Sequence, residues 1–195
     1  MSRKEITRAD ILPFDEYAAS RRERKKALTE MKKNRRMEVG PHATFYFESY
    51  ETMWNQIHEM LYIERGGENQ IPDELVAYNP LIPQGRELVA TVMFEIGDAD
   101  RRAKVLANLG GVEETISITV GGDKIRGVAE TDVDRTTDDG KASSVQFVHF
   151  PFTDAQADAF RQSEADVIVG FSHENYSHMA GMTGAVRAAL AKDFD

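Results

Sequence analysis

The chain has 195 residues, with 24 Lys and Arg against 33 Asp and Glu, giving a formal net charge of −9. Its 41% hydrophobic and 29% charged residues suit one soluble globular domain over 1–195 and exclude a wholly disordered chain. The absence of cysteine excludes disulfides, thiolate nucleophiles and cysteine-held zinc or iron–sulfur centres carried by this chain.

Thr7 and Asp10 have the spacing of a capping box. Pro13 then suits the first turn of a helix over 14–36, whose apolar positions Phe14, Tyr17, Ala18, Leu28 and Met31 are sparse between arginines. Gly40-Pro41 ends it, and an alternating strand follows over 44–47. The clearest helix is 49–65, where Met53, Trp54, Ile57, Met60 and Leu61 form one broad apolar face before Gly66-Gly67. A short helix over 73–78 runs into the rigid Asn79-Pro80-Leu81-Ile82-Pro83.

From residue 87 the pattern changes to strands. A strand over 88–96 is apolar on both faces, as a central strand requires, and Asp98 can cap a helix over 99–109. The segments 115–120 and 124–130 read as a hairpin around Gly121-Gly122, and 143–150 as a further strand after Asp139-Gly140. Thr153 can cap a helix over 154–162, 167–171 reads as a buried strand, and Thr183 can cap a last helix over 184–193. Five strands joined largely as hairpins after a helical N-terminal third predict an α+β fold with a mainly antiparallel sheet and helices packed on it.

Charge is strongly segregated. Residues 1–36 hold 12 Lys and Arg against 6 Asp and Glu, a net of +6, which leaves −15 on 37–195. Arg21, Arg22, Arg24, Lys25, Lys32, Lys33, Arg35 and Arg36 therefore form a basic arm that either solvates its helix or docks on something acidic. Nucleic acid is disfavoured as that partner, because the arm has no interleaved aromatics for stacking and the acidic body repels phosphate. The simplest acidic partner is the body of a second copy. A homodimer is expected, weakened by removal of 1–36.

Several ordered motifs carry a resemblance. Arg35-Arg36, Val39-Gly40-Pro41, Phe47-Glu48, Gln56-Ile57-His58-Glu59-Met60-Leu61, Tyr78-Asn79-Pro80-Leu81-Ile82-Pro83 and His173-Glu174-Asn175-Tyr176 together resemble the bacterial DUF3501 family of unknown function, across nearly the whole chain. At His58 the family pattern has glutamine, so no chemistry is expected from that residue. The resemblance implies no activity. It implies an accessory role in redox or peroxide-stress physiology, beside rubrerythrin-like and heterodisulfide-reductase-like iron–sulfur proteins.

Candidate chemistry is sparse. His173, Glu174 and His178 are ligand-type residues after a buried strand, but residues five apart converge only if the loop folds back, so no metal and no cofactor are expected. His149 shares a face with Val145 and Phe147, as a hydrogen-bonded core histidine does; paired with His173 in a pocket, it and Tyr176 could do acid–base work. Asp132, Asp134, Asp138 and Asp139 lack the glycine and glutamate of a calcium loop. Di-iron Glu-x-x-His pairs, a P-loop lysine and a Gly-x-Ser-x-Gly elbow are all absent.

Three function classes follow: an accessory or assembly protein acting through contacts, a small-molecule or metal-dependent enzyme using His149, His173, Tyr176 and His178, and a nucleic-acid regulator using the arm. The charge segregation and the family context favour the first. No apolar stretch near the start suits a signal peptide, and no run reaches the roughly 20 apolar residues of a membrane span, so a cytoplasmic address without membrane contact is expected.

Overall fold

A computed structural model describes residues 3–130, 136–137, 140–162 and 164–195. Asp10 accepts from both the N–H and the hydroxyl of Thr7 (2.9 and 2.7 Å), opening a single 3₁₀ turn. Helix α1 (Phe14–Lys32) then ends short of residue 36, because the chain extends into strand β1 (Arg36–Val39), which buries Met37 and Val39 in alternation. Strand β2 (Ala43–Phe47) follows. Helix α2 (Tyr50–Glu64) is capped by the Ser49 hydroxyl, and helix α3 (Ile71–Tyr78) packs beside it.

The second half supplies β3 (Glu87–Phe94), helix α4 (Ala99–Leu106), β4 (Ile116–Val120), β5 (Asp123–Arg126), β6 (Val128–Ala129) and β7 (Val145–Pro151). Helix α5 (Asp154–Arg161), β8 (Val167–His173), β9 (Tyr176–Gly181) and helix α6 (Gly184–Leu190) complete it. The four aspartates of the 132–139 segment lie outside the described residues.

The fold is α+β with antiparallel pairing throughout, as expected, but the described strands form two sheets rather than one. The first has the order β1-β2-β3-β7-β6 and the second β5-β4-β8-β9. They pack face to face. Leu88, Ala90, Val92 and Phe94 of β3 point into the shared core, and Phe45 and Phe94 meet Phe171 of the second sheet at 5.4 and 5.9 Å. The outer face of the first sheet is covered by α2, α3 and the N-terminal segment, through Ile6, Ile11, Met53, Ile57, Ile71 and Val89. Strand β3 is therefore apolar on both faces because each face meets a different layer.

The expected strand over 124–130 is two strands in different sheets. Gly127 donates to Ile116 in the second sheet (2.9 Å), while Val128 and Ala129 pair with β7 in the first. A Cβ at Gly127 would come within 2.5 Å of the Val148 side chain, so the crossing point has room only for glycine.

Candidate functional site

The segment 172–178, read as a polar loop, is a hairpin. Register pairs His173 with Tyr176 and Phe171 with His178, so all four side chains lie on one face and the two histidines do share a side. They are not equivalent. The Nδ1 of His173 accepts from the Asn175 N–H and its Nε2 lies 3.1 Å from the Gly110 carbonyl, which assigns the proton to Nε2 and uses both nitrogens in bracing the turn. Glu174 sits exposed at the tip. Among the described residues, no group of three or more histidines and carboxylates is placed to hold a metal ion.

Tyr176 is buried, and its hydroxyl donates to the Val39 carbonyl (2.8 Å) while accepting from the N–H groups of His42 and Ala43 (both 3.0 Å). A phenol has one proton and two lone pairs, so this hydroxyl is saturated. Burial raises its pKa, against the two backbone donors that lower it. Tyr176 thus plugs the β1–β2 turn from the opposite sheet. Gly40, with φ of 72°, makes the approach possible, since a Cβ there would lie 2.6 Å from the His178 ring.

His149 is on the other side of the molecule's first sheet, so the structure does not gather His149, His173, Tyr176 and His178 into one site. Strand alternation along β7 sends Val148 and Phe150 into the inter-sheet core and His149 outward. Its Nδ1 lies 2.9 Å from Glu87 and its Nε2 2.8 Å from Glu130. The Glu87 hydrogen bond raises its pKa most, burial opposes this and Glu130 adds to the rise. With a carboxylate at each nitrogen, the ring is a clamp that joins β3, β7 and the residue after β6 and favours its charged form.

The clamp has a pH signature. A histidine whose folded-state pKa is raised contributes stability that is complete below its unfolded value of about 6.5 and is lost as pH rises through the folded value. His149→Gln is therefore expected to cost about 2 kcal/mol at pH 6 and progressively less at alkaline pH. Thermal melts across this range would show it; parallel wild-type and variant profiles would refute the clamp.

The basic arm is largely docked on its own chain. Arg21 makes a bidentate pair with Glu59 (both 2.8 Å), Lys25 reaches the same carboxylate at 2.8 Å and the Tyr17 hydroxyl donates to it at 2.7 Å. Glu59 is only 8% exposed, and Arg21 foremost, with Lys25 and Tyr17, lowers its pKa to about 2 against the cost of burial. Arg24 lies over the Trp54 ring at 4.9 Å, Lys33 pairs with Glu30 and Arg36 with Glu38 (both 2.7 Å).

Arg35 departs furthest from the expected docking surface. It is 6% exposed, donates to Asp193 (3.1 and 2.5 Å) and also to the carbonyls of Phe47 and Glu48 (3.0 and 2.6 Å). An arginine used in this way is a structural tie between the two ends of the chain. The side chains of Arg22 and Lys32, by contrast, make no hydrogen bond or ion pair with any described residue.

The motifs that braid this geometry together run the length of the chain, and so does the match to known proteins. The model of a family described as "Protein of unknown function (DUF3501)" matches residues 5–194. The chain belongs to the DUF3501 family. A crystal structure of a protein of unknown function from Burkholderia pseudomallei is 34% identical, with a TM-score of 0.90 over 97% of this chain and 99% of that one. No curated protein matches.

Two features of this DUF3501 chain escaped the sequence reading. His42, Arg101 and Lys104 join Tyr176 and His178 in a cleft of about 500 Å³ between the β1–β2 turn, α4 and the β8–β9 hairpin. Nothing local marks that convergence. The Glu59 anchor did leave a signal, since Tyr17, Arg21 and Lys25 recur every four residues on one helix face.

Proposed function

We propose that this α+β chain works as a single unit and as an accessory or assembly protein that acts through protein contacts, with α1 as its docking surface. One observation carries the reading: of the 19 residues of α1, only Tyr17 is fully buried. A helix this polar on most sides is stabilised by a neighbour or by ion pairs, and here Glu59 and the ring contacts of Phe14 and Tyr17 hold one face only. Beside it, Ala27, Leu28, Met31, Tyr50 and Trp54 line an apolar groove of about 470 Å³, with Arg24 at its side. The occupant proposed for this face is a second copy, whose −15 body complements the +6 arm. Beyond the homodimer, the partners proposed are those of redox or peroxide-stress physiology in the cytoplasm.

Removing 1–36 would not test this, because Ile6, Ile11 and Arg35 are buried in the body. Charge reversal does. Arg22→Glu with Lys26→Glu, both exposed positions, is expected to shift a dimer towards monomer in light scattering at tens of micromolar protein while leaving the circular dichroism spectrum of the folded chain unchanged. A monomeric wild type, or a variant that dimerises unchanged, would refute self-docking.

A second reading, small-molecule binding, is favoured by one feature of the Tyr176 cleft. The side chains of His42, Arg101, Lys104 and His178 make no hydrogen bond or ion pair with any described residue. Four nitrogen donors left open in one cleft of an acidic chain suit a small anion. Calorimetry with inorganic phosphate on wild type and Arg101→Glu separates this from docking.

A further inference from the structure

A second cavity, between the N-terminal segment, the first turn of α1, the end of α2 and the start of α3, has a volume of about 400 Å³. That is within the range of small-molecule sites. Its wall is mainly Ile11, Leu12, Phe14, Leu61, Tyr62 and Ile71. Phe14 and Tyr62 stack in parallel at 5.3 Å and 7°, forming one flat side, and Phe14 is 45% exposed.

The polar groups of the wall are already engaged. Nε2 of His58 accepts from the Leu12 N–H (3.0 Å), and Nδ1 lies 2.7 Å from the Trp54 carbonyl, so the ring turns only carbon towards the space. The Tyr17 hydroxyl is held by Glu59 at 2.7 Å. Two charged side chains, Arg65 and Glu68, line the opening. Glu68 is neutralised by the Arg8 guanidinium in a two-point pair (2.8 and 2.5 Å). The Arg65 side chain makes no hydrogen bond or ion pair with any described residue, and its guanidinium lies 5.6 Å from the Phe14 ring centre.

Arg65 is also the one non-glycine residue with positive φ among those described, at φ 57° and ψ 32°. It closes α2 by donating to the Leu61 carbonyl at 3.1 Å, a left-handed cap that glycine fills without strain. The cost of placing arginine there is about 1 kcal/mol. The result is an apolar, aromatic space with one uncompensated cation fixed at its mouth.

We propose that this cavity binds a small amphipathic monoanion, an acyl or aryl carboxylate. Its apolar body lies against Leu61, Tyr62 and Ile71, and its carboxylate meets Arg65. The site is independent of the docking role of α1. A neutral apolar molecule would leave the cation unused, and a polyanion would meet the Glu68 carboxylate with only one free cation.

Octanoate and 1-octanol are the probes, titrated into the full chain and followed by Trp54 fluorescence and by amide shifts. Trp54 is the only tryptophan, and its ring lies 3.7 Å from that of His58 in the cavity wall. Octanoate is expected to bind more tightly than octanol, with shifts centred on 11–17 and 58–68. Arg65→Gln should weaken octanoate about tenfold and leave octanol unchanged, as loss of one charge-assisted contact predicts. Leu61→Trp should abolish both; if that variant does not fold, Phe14→Ala should weaken both, since Phe14 is exposed wall. The proposal is overturned if octanoate fails to bind wild type, if octanol binds as tightly, or if Arg65→Gln binds octanoate like wild type.

Discussion

Glu59→Gln is expected to lower the melting temperature at pH 7 by about 10 °C. The carboxylate is held near pKa 2, well below its ordinary 4.5, chiefly by the Arg21 pair. That difference corresponds to about 3 kcal/mol of folding stability. A lowered carboxylate pKa contributes stability that is complete above the unfolded value and is lost as pH falls through the folded one. The wild type should therefore lose this increment between about pH 4.5 and pH 2, and the variant should have none of it to lose. Circular dichroism melts at pH 7 and pH 3 test both points. A variant that melts with wild type at pH 7 would show that α1 is held by something other than Glu59.

Arg35→Met should be at least as damaging, costing about 3–5 kcal/mol, because it leaves the Asp193 carboxylate uncompensated in the interior. Burial already raises the Asp193 pKa despite the paired guanidinium, so desolvation there outweighs the attraction. The double variant Arg35→Met with Asp193→Leu removes both charges. It should recover most of the loss, leaving about 1 kcal/mol for the orphaned carbonyls of Phe47 and Glu48. Urea titrations of the three proteins measure the cycle. Should the double variant be no more stable than Arg35→Met, the damage lies in lost packing and carbonyl contacts rather than in the unpaired charge.

The elements that were legible in the sequence are those whose apolar period is strong. Helix α2 declares itself through Met53, Ile57 and Leu61 on one buried face, and β3 through an unbroken apolar run that buries both of its faces. Strand β9 was missed because Tyr-Ser-His-Met-Ala-Gly has little strand propensity and fully buries only Tyr176; its partner strand and the tyrosine plug hold it. β1 was hidden by Arg35-Arg36, which reads as the end of a basic helix until Asp193 is seen to receive Arg35. The sheet change at Gly127 leaves no trace either, since period-2 alternation continues through it.

Site residues were legible by type and not by company. His149 was read as a core histidine, but its two carboxylates are 62 and 19 residues away in sequence. His173 and His178 were separated by a spacing argument that a two-residue turn defeats. Arg65 carried no signal, because a left-handed arginine is invisible until φ is known.

The crossing at Gly127 and the plug formed by Tyr176 sit at different seams of the sandwich. One strand run serves both sheets at the first seam, and at the second a side chain of one sheet satisfies the backbone of the other. Neither sheet can peel away while the other stays intact, since each departure breaks hydrogen bonds in both. The sandwich is thus expected to open as one cooperative unit, with breathing left to the helical layer, where α1 fully buries only Tyr17.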